Sequence, residues 1–335
     1  MNRREFLRSA AAAAVTAPLA VNGEPAPPLD ADPGAGDALN PPGIRLAGVK
    51  MVPVVGGKYK VWTKKMGSGP VKVLLLHGGP GVGHEYLEAM ESFLPEAGIE
   101  MYYYDQLGNN FSDVPDDPSL WTVERYTEEV EEVRRGLGLD PFVLYGHSFG
   151  GILAIEYALK YPQHLRAVVI SNMAASTQAY LKRTDALKVQ MLAPEEVMKV
   201  NALEAAGNYD APEYAAAMKK LYALMLCRTQ PWPNALERSF KHMNETIYVQ
   251  MQGKSEFVVT GNLKDWDRWD RLHEIHVKAL TLGARYDEMD PEDMKKMARL
   301  MPNATYAYCP NGSHMAFWDD QQTYFRHLLG FLKTV

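Results

Sequence analysis

Apolar and polar positions alternate through VKMVPVV (49–55) and again through KYKVWTKK (58–65), on either side of Gly56-Gly57. A period of two puts alternate side chains on one face, so this stretch predicts a hairpin closed by a Gly-Gly turn. VKVLLL (71–76) replaces the alternation with a continuous apolar run, the pattern of a strand buried on both faces. EMYYYD (100–105), FVLYG (142–146), AVVIS (167–171), VKALTLG (277–283) and ATYAYC (304–309) repeat it. Between these runs the period lengthens. TVERYTEEVEEVRRGLG keeps Val123, Tyr126, Val130, Val133 and Leu137 on one helical face and its charges on the others. GGILAIEYALKY is apolar and stops at Pro162, which cannot continue a helix. QQTYFRHLLGFLK closes the chain as an amphipathic helix. Strands alternating with helices predict an α/β fold, a mostly parallel sheet with helices on both faces.

One region breaks this rhythm. From about Ser176 to Asp265 the pattern is helical and rich in Met and Tyr, with no strand. DAPEYAAAMKKLYALMLCR reads as a helix opened by a capping box from Asp210 to Glu213, with Pro212 in the first turn. PWPNALERSFKHMN is a second such segment. Residues 176–265 therefore predict a helical cap inserted into a core made of 45–175 and 266–335. A cap there would roof the strand ends where parallel sheets bind ligands.

Composition narrows the class. The chain has 335 residues, 47% of them hydrophobic, enough for a full core. A net charge of −6 with scattered Lys and Arg argues against a nucleic-acid partner. No apolar stretch approaches the roughly 20 residues of a membrane span. The N-terminus differs from the rest: Arg3-Arg4, then Phe6-Leu7, an Ala-rich run and small residues near Ala17 and Ala20. That order reads as a secretory signal, and the paired arginines before Phe-Leu resemble a twin-arginine signal, which implies export of an already folded protein to a periplasm. The Pro-, Gly- and Asp-rich stretch that follows reads as a linker, so residues 1–44 are assigned to signal and linker. The two cysteines, Cys227 and Cys309, sit in apolar segments without CxxC spacing and read as buried thiols.

The chemistry is carried by YGHSFGG (145–151). GHSFG is G-x-S-x-G, set directly between the strand FVLY and the helix GILAIEYALKY, the context of a nucleophile elbow. Such a turn needs small neighbours and holds Ser148 at a helix N-terminus. A serine hydroxyl needs a base, and the elbow predicts an acid and then a histidine after later strands. Asp287 follows VKALTLG and His314 follows ATYAYC, both at the strand ends that carry Ser148. Asp290 is an alternative acid farther from the strand end. His147 is adjacent to the serine and cannot easily face its hydroxyl. His273 and His276 precede their strand and lie at the wrong end. Oxyanion donors are expected from the N–H of Phe149 and from the Gly-rich loop LLLHGGPG, best at Gly79.

Together HGGPG, YDQLG, GHSFGG, YDEMD and GSH resemble the proline iminopeptidase family of α/β-hydrolases, over residues 45 to the C-terminus. The resemblance implies the α/β-hydrolase fold and release of an N-terminal residue, often proline, from peptides or amino-acid amides by a serine hydrolase. It also implies two acidic residues that read the free amine, matched here by Glu256 in GKSEF and Glu288 in YDEMD. After DQLG the family continues with a glycine where this chain has Asn110, followed by the bulkier Phe111; the difference bears on substrate preference more than on chemistry. The expected partner is a substrate with a free N-terminus, and no metal or organic cofactor is implied. A carboxylesterase on the same three residues and a non-catalytic ligand-binding relative are the competing readings.

Overall fold

The structure, a computed structural model, describes residues 46–335; the signal and linker expected over 1–44 lie outside the described residues. Its strands are β1 (Val49–Val54), β2 (Tyr59–Met66), β3 (Val71–Leu76), β4 (Ile99–Tyr104), β5 (Phe142–His147), β6 (Leu165–Ser171), β7 (Lys278–Ala284) and β8 (Ala304–Cys309). Among the described residues they form one eight-stranded sheet in the order β1-β2-β4-β3-β5-β6-β7-β8. β1, β2 and β4 pair antiparallel, and every pair from β4-β3 to β7-β8 is parallel. This is the α/β-hydrolase fold.

Alternation along each buried strand supplies two apolar faces. Leu74, Leu76 and Leu144 face α1 (Val123–Leu137) and α2 (Phe149–Lys160), while Val73, Leu75 and Tyr145 face the side closed by the last helix of the chain, Gln321–Leu332. Fully burying one such side chain contributes about 1.5–3 kcal/mol, so both faces hold their helices firmly. Helix α1 starts where Thr122 accepts from the Arg125 N–H and ends at Gly138 with φ 68°. The hairpin turn is longer than the sequence suggests. It spans Val55–Lys58, with Val55 itself at φ 54°, and Glu132 on α1 accepts from the Val55 and Gly56 N–H groups. A distant helix thus supplies the anchor that lets a valine enter the turn.

Between β6 and β7 the chain runs through α3 (Thr177–Met191), α4 (Pro194–Ala205), α5 (Pro212–Met225), α6 (Asn234–Lys241) and α7 (Glu245–Met251). Two expectations are corrected here. The capping box from Asp210 to Glu213 does not form. Ala211 is the N-cap and Pro212 the first helical residue, so Asp210 lies one position too early. The helical pattern also does not extend to Asp265: residues 252–268 run without helix, through Gly253 and Gly261. After β7 come α8 (Pro291–Leu300), β8, α9 (Ala316–Asp319) and α10 (Gln321–Leu332). No described helix is long and apolar enough to cross a membrane. Cys227 and Cys309 are buried free thiols.

Candidate active site

The site begins at the C-terminal end of β5, in the middle of the sheet. There the chain turns directly into α2 through Ser148, whose backbone sits at φ 56°, ψ −129°. Left-handed backbone at a serine is uncommon and persists only where the surroundings enforce it. They do so by close approach. A Cβ on Gly146 would lie 2.1 Å from the Gly150 carbonyl oxygen, and one on Gly150 would lie 2.2 Å from the Leu76 carbonyl oxygen. A Cβ on Gly78 would fall 2.7 Å from the Ser148 Cβ, so the Gly-rich loop lies against the serine. Gly146 and Gly150 of GHSFGG and Gly78 of HGGPG are therefore demanded by close approach around Ser148.

The loop after β7 carries Asp287, fully buried. Its Oδ1 accepts from His314 Nδ1 at 2.8 Å and from the Met289 N–H at 3.0 Å, and its Oδ2 accepts from Asn172 Nδ2 at 2.7 Å. These contacts fix the imidazole with Nδ1 protonated and Nε2 turned to the cavity. That cavity, about 30 Å³, is lined by Ser148, His314, Gly78, Gly79, Glu256 and Glu288 among others. A second space of about 30 Å³ adjoins Gly79, Ser148, Phe149 and again Glu256. As the first residue of α2, Phe149 presents an N–H that has no partner within the helix by position.

Of the alternatives, Asp290 caps α8 by accepting from the Glu292 N–H, and His273 and His276 precede β7. His147 is buried and turned away from the serine hydroxyl. Its Nδ1 accepts from the Tyr86 hydroxyl at 3.0 Å, and its Nε2–H donates to the His314 carbonyl at 2.9 Å. Tyr86 in turn accepts from the Gly78 N–H at 2.6 Å. Burial pushes the His147 pKa well below the usual histidine value, so it serves as a neutral strut between the Gly-rich loop and the histidine loop. The insertion holds that loop as well, since the His314 N–H donates to the Met225 carbonyl at 2.8 Å at the end of α5. Asn172 and Tyr86 were not legible in the sequence. The one available signal was that Asn172 directly follows β6, at the edge that carries Ser148.

The two motifs HGGPG and YDQLG grip each other. His77 Nε2 accepts from the Gln106 N–H at 3.0 Å, the Gln106 side chain donates to the His77 carbonyl at 2.9 Å, and burial lowers the His77 pKa to about 4. Asp105 accepts from the His84 N–H and from His84 Nδ1, both at 2.8 Å. Asn110 takes φ 42°, so the turn survives without the family's glycine. Phe111 is exposed and leans on Trp62 and His84 with ring centroids 5.4 and 6.0 Å away, lining neither small cavity.

Two carboxylates complete the site. Glu288 is buried, with Oε1 3.7 Å from His314 Nε2. Glu256, on the non-helical stretch after α7, accepts from the Tyr248 hydroxyl at 2.8 Å through Oε2 and from the Tyr180 hydroxyl at 3.3 Å through Oε1. Burial works to lower the His314 pKa, yet Glu288, Asp287 and Glu256 outweigh it and push the value up to about 9. The pocket therefore favours positive charge. Among the described residues, no cluster of three or more His, Cys, Asp or Glu could hold a metal ion.

The profile of the alpha/beta hydrolase fold matches residues 72–321. The chain is similar to the proline iminopeptidase of Elizabethkingia meningoseptica, 46% identical over 293 residues, 85% of this chain and 98% of the relative. Among solved structures it is similar to that of VinJ, with a TM-score of 0.80 at 34% identity, covering 85% of this chain and 98% of the other. It is also similar to the proline iminopeptidase of Mycobacterium smegmatis, with a TM-score of 0.79 at 27% identity and the same coverage.

Proposed function

We propose that this chain, a hydrolase that belongs to the proline iminopeptidase family of α/β-hydrolases, is a serine aminopeptidase that reads the free amine of its substrate with two carboxylates. The observation that carries the reading is that Glu256 and Glu288 line the same small cavity as Ser148 and His314. An ammonium in a roofed pocket loses its water and needs compensating charge. A hydrogen bond to a charged group is worth roughly 1.5–3 kcal/mol, so two carboxylates suffice to decide which substrates bind.

The chemistry follows from the positions. His314 Nε2 takes the proton of Ser148 as Oγ attacks the carbonyl of the first residue. The Gly79 and Phe149 N–H groups receive the oxyanion, each worth about 2.7–4 kcal/mol in the transition state. Asp287 holds the tautomer and stabilises the imidazolium. His314 then returns its proton to the leaving nitrogen as the C–N bond breaks, leaving an acyl-Ser148 ester. Water, deprotonated by His314, attacks that ester; as the bond to Ser148 Oγ breaks, His314 returns the proton to that oxygen and the free amino acid is released. Helices α3–α7 act as the cap that roofs the site. The twin-arginine-like N-terminus extends the reading to export of the folded enzyme, and fractionation of cells expressing the full chain tests that part.

The test of the activity compares an aminoacyl anilide with its N-acetylated form on purified protein, beside labelling by a fluorophosphonate. Hydrolysis of the free-amine substrate alone, with an adduct on Ser148, is the expected result. Equal rates on both substrates would remove the amine-reading role and favour an esterase; absence of an adduct would favour a non-catalytic binder.

A further inference from the structure

A line of buried hydroxyls runs up to Asp287 from the side away from His314. Asn172 Nδ2 donates to Asp287 Oδ2 at 2.7 Å, and Ser171 Oγ donates to Asn172 Oδ1 at 2.7 Å. The Tyr324 hydroxyl, on α10, lies 2.8 Å from Ser171 Oγ, and the Tyr145 hydroxyl, on β5, lies 2.5 Å from that of Tyr324. All five side chains are buried, and neither Ser171, Tyr324 nor Tyr145 lines the small cavities beside Ser148. Their hydroxyls touch no substrate, so any part they play is exerted through Asn172.

Counting protons gives every bond in the line one direction. As the partner of an imidazolium, Asp287 is ionised and only accepts, so Asn172 must turn its NH2 toward it and its carbonyl toward Ser171. Ser171 has one hydroxyl proton, and the Asn172 carbonyl takes it. Tyr324 must therefore donate to Ser171 Oγ. With the Tyr324 proton spent, Tyr145 must donate to Tyr324. Four donors in a row point at the carboxylate, and aligned bonds in a low dielectric polarise one another.

The line also fixes a choice that Asn172 cannot make alone. Its Nδ2 faces a second acceptor, the Ser313 carbonyl, at 3.5 Å. A flipped amide would set Oδ1 against that carbonyl and the carboxylate at once. Ser171 opposes the flip by giving Oδ1 a donor, and Tyr324, by donating to Ser171 Oγ, turns the Ser171 proton toward Asn172. The backbone of Ser171 holds the nucleophile as well, since its carbonyl accepts from the Ser148 N–H at 3.1 Å. One residue at the end of β6 thus ties the serine turn to the orientation of the acid.

We infer that Ser171 and Tyr324, with Tyr145 behind them, are positioning residues for the hydrolysis: their hydroxyls hold the Asn172 amide in the orientation that keeps a donor on Asp287, and so keep Asp287 in place for His314. This rests on the serine-hydrolase reading above.

The experiment measures kcat and KM on one aminoacyl p-nitroanilide, and the rate of Ser148 labelling by a fluorophosphonate, for the wild-type chain, Ser171→Ala, Tyr324→Phe and the double variant, each checked by circular dichroism melting. Ser171→Ala is expected to lower kcat at least roughly tenfold with KM little changed, as for loss of a transition-state interaction. Tyr324→Phe lowers kcat less. The double variant is no slower than Ser171→Ala, because Tyr324 acts through Ser171. If Ser171→Ala does not fold, the kcat-against-KM split of Tyr324→Phe decides. A folded single variant with wild-type kcat, a rise in KM alone, or losses that multiply in the double variant overturns the inference, while wild-type turnover and labelling leave the serine-hydrolase reading intact. A wild type that is neither labelled at Ser148 nor active overturns that reading and the positioning role with it.

Discussion

The Nε2 of His314 lies 3.7 Å from Glu288 Oε1, so the expected base of the reaction faces a buried carboxylate across the cavity. The same imidazole donates from Nδ1 to Asp287. Negative charge on both sides favours imidazolium, whereas a general base must be neutral. The other group facing the ring is His147, which burial keeps neutral. A substrate ammonium seated between Glu256 and Glu288 would offset the carboxylates and release His314 to act.

The free enzyme is thus expected to show a raised histidine pKa. With a folded value of about 9, His314 is mostly protonated at pH 7, and the base form grows as pH rises through that value. The rate of Ser148 labelling by a neutral fluorophosphonate should rise with pH to a midpoint well above 6.5. Glu288→Gln should move this midpoint down. A midpoint near 6.5 in the wild type, unmoved by the substitution, would show that Glu288 does not act on His314.

For an amine-bearing substrate, the acidic limb of kcat should lie at lower pH than the labelling midpoint, because the bound ammonium replaces the proton on His314 as the charge facing Glu288. A pH series of kcat on one aminoacyl anilide, set beside the labelling curve, measures the displacement. Coincident limbs would mean that the ammonium binds elsewhere.

Glu256→Gln keeps shape and removes charge. Losing a charged hydrogen-bond partner at about 1.5–3 kcal/mol predicts a KM for aminoacyl anilides raised by roughly 10- to 100-fold. Neutral esters should change little. Equal losses on both would make Glu256 a structural residue held by Tyr180 and Tyr248.

Asn172 donates to Asp287 and touches no cavity wall described above. Asn172→Asp would set two carboxylates within hydrogen-bond distance and force a shared proton on them. The expected outcome is a kcat at least roughly tenfold lower with KM little changed, as for loss of a transition-state interaction. A rise in KM at constant kcat would place Asn172 in binding instead.

Cys227 and Cys309 should stay silent to a thiol reagent in the native protein. Burial pushes the Cys227 thiol up to about 12 and raises that of Cys309 further, and the thiolate is the reactive form. Titration should find two thiols per chain in denaturant and none before it; prompt native reaction would mean that one of them opens to solvent.

The sequence by itself determined the strand runs, the helices with one apolar face, and the elbow, because each is a matter of neighbouring residues: period, breakers and glycines around Ser148. The order of the strands in the sheet was not read from the sequence; it came from the tertiary structure. The candidate acid and histidine were legible, since the strand-end rule picks out positions along the chain. Contacts between distant segments were not legible. No local pattern says that Asn172 reaches Asp287, that His147 joins Tyr86 to the His314 carbonyl, or that α5 ends against the histidine loop. Helix starts were decided by single residues, so Asp210 lost the cap to Ala211 by one position. Glu256 shows the limit most plainly. In the chain it is a charged residue in a Gly-containing stretch. Only the packing of the insertion over the sheet brought it to the cavities that Ser148 lines.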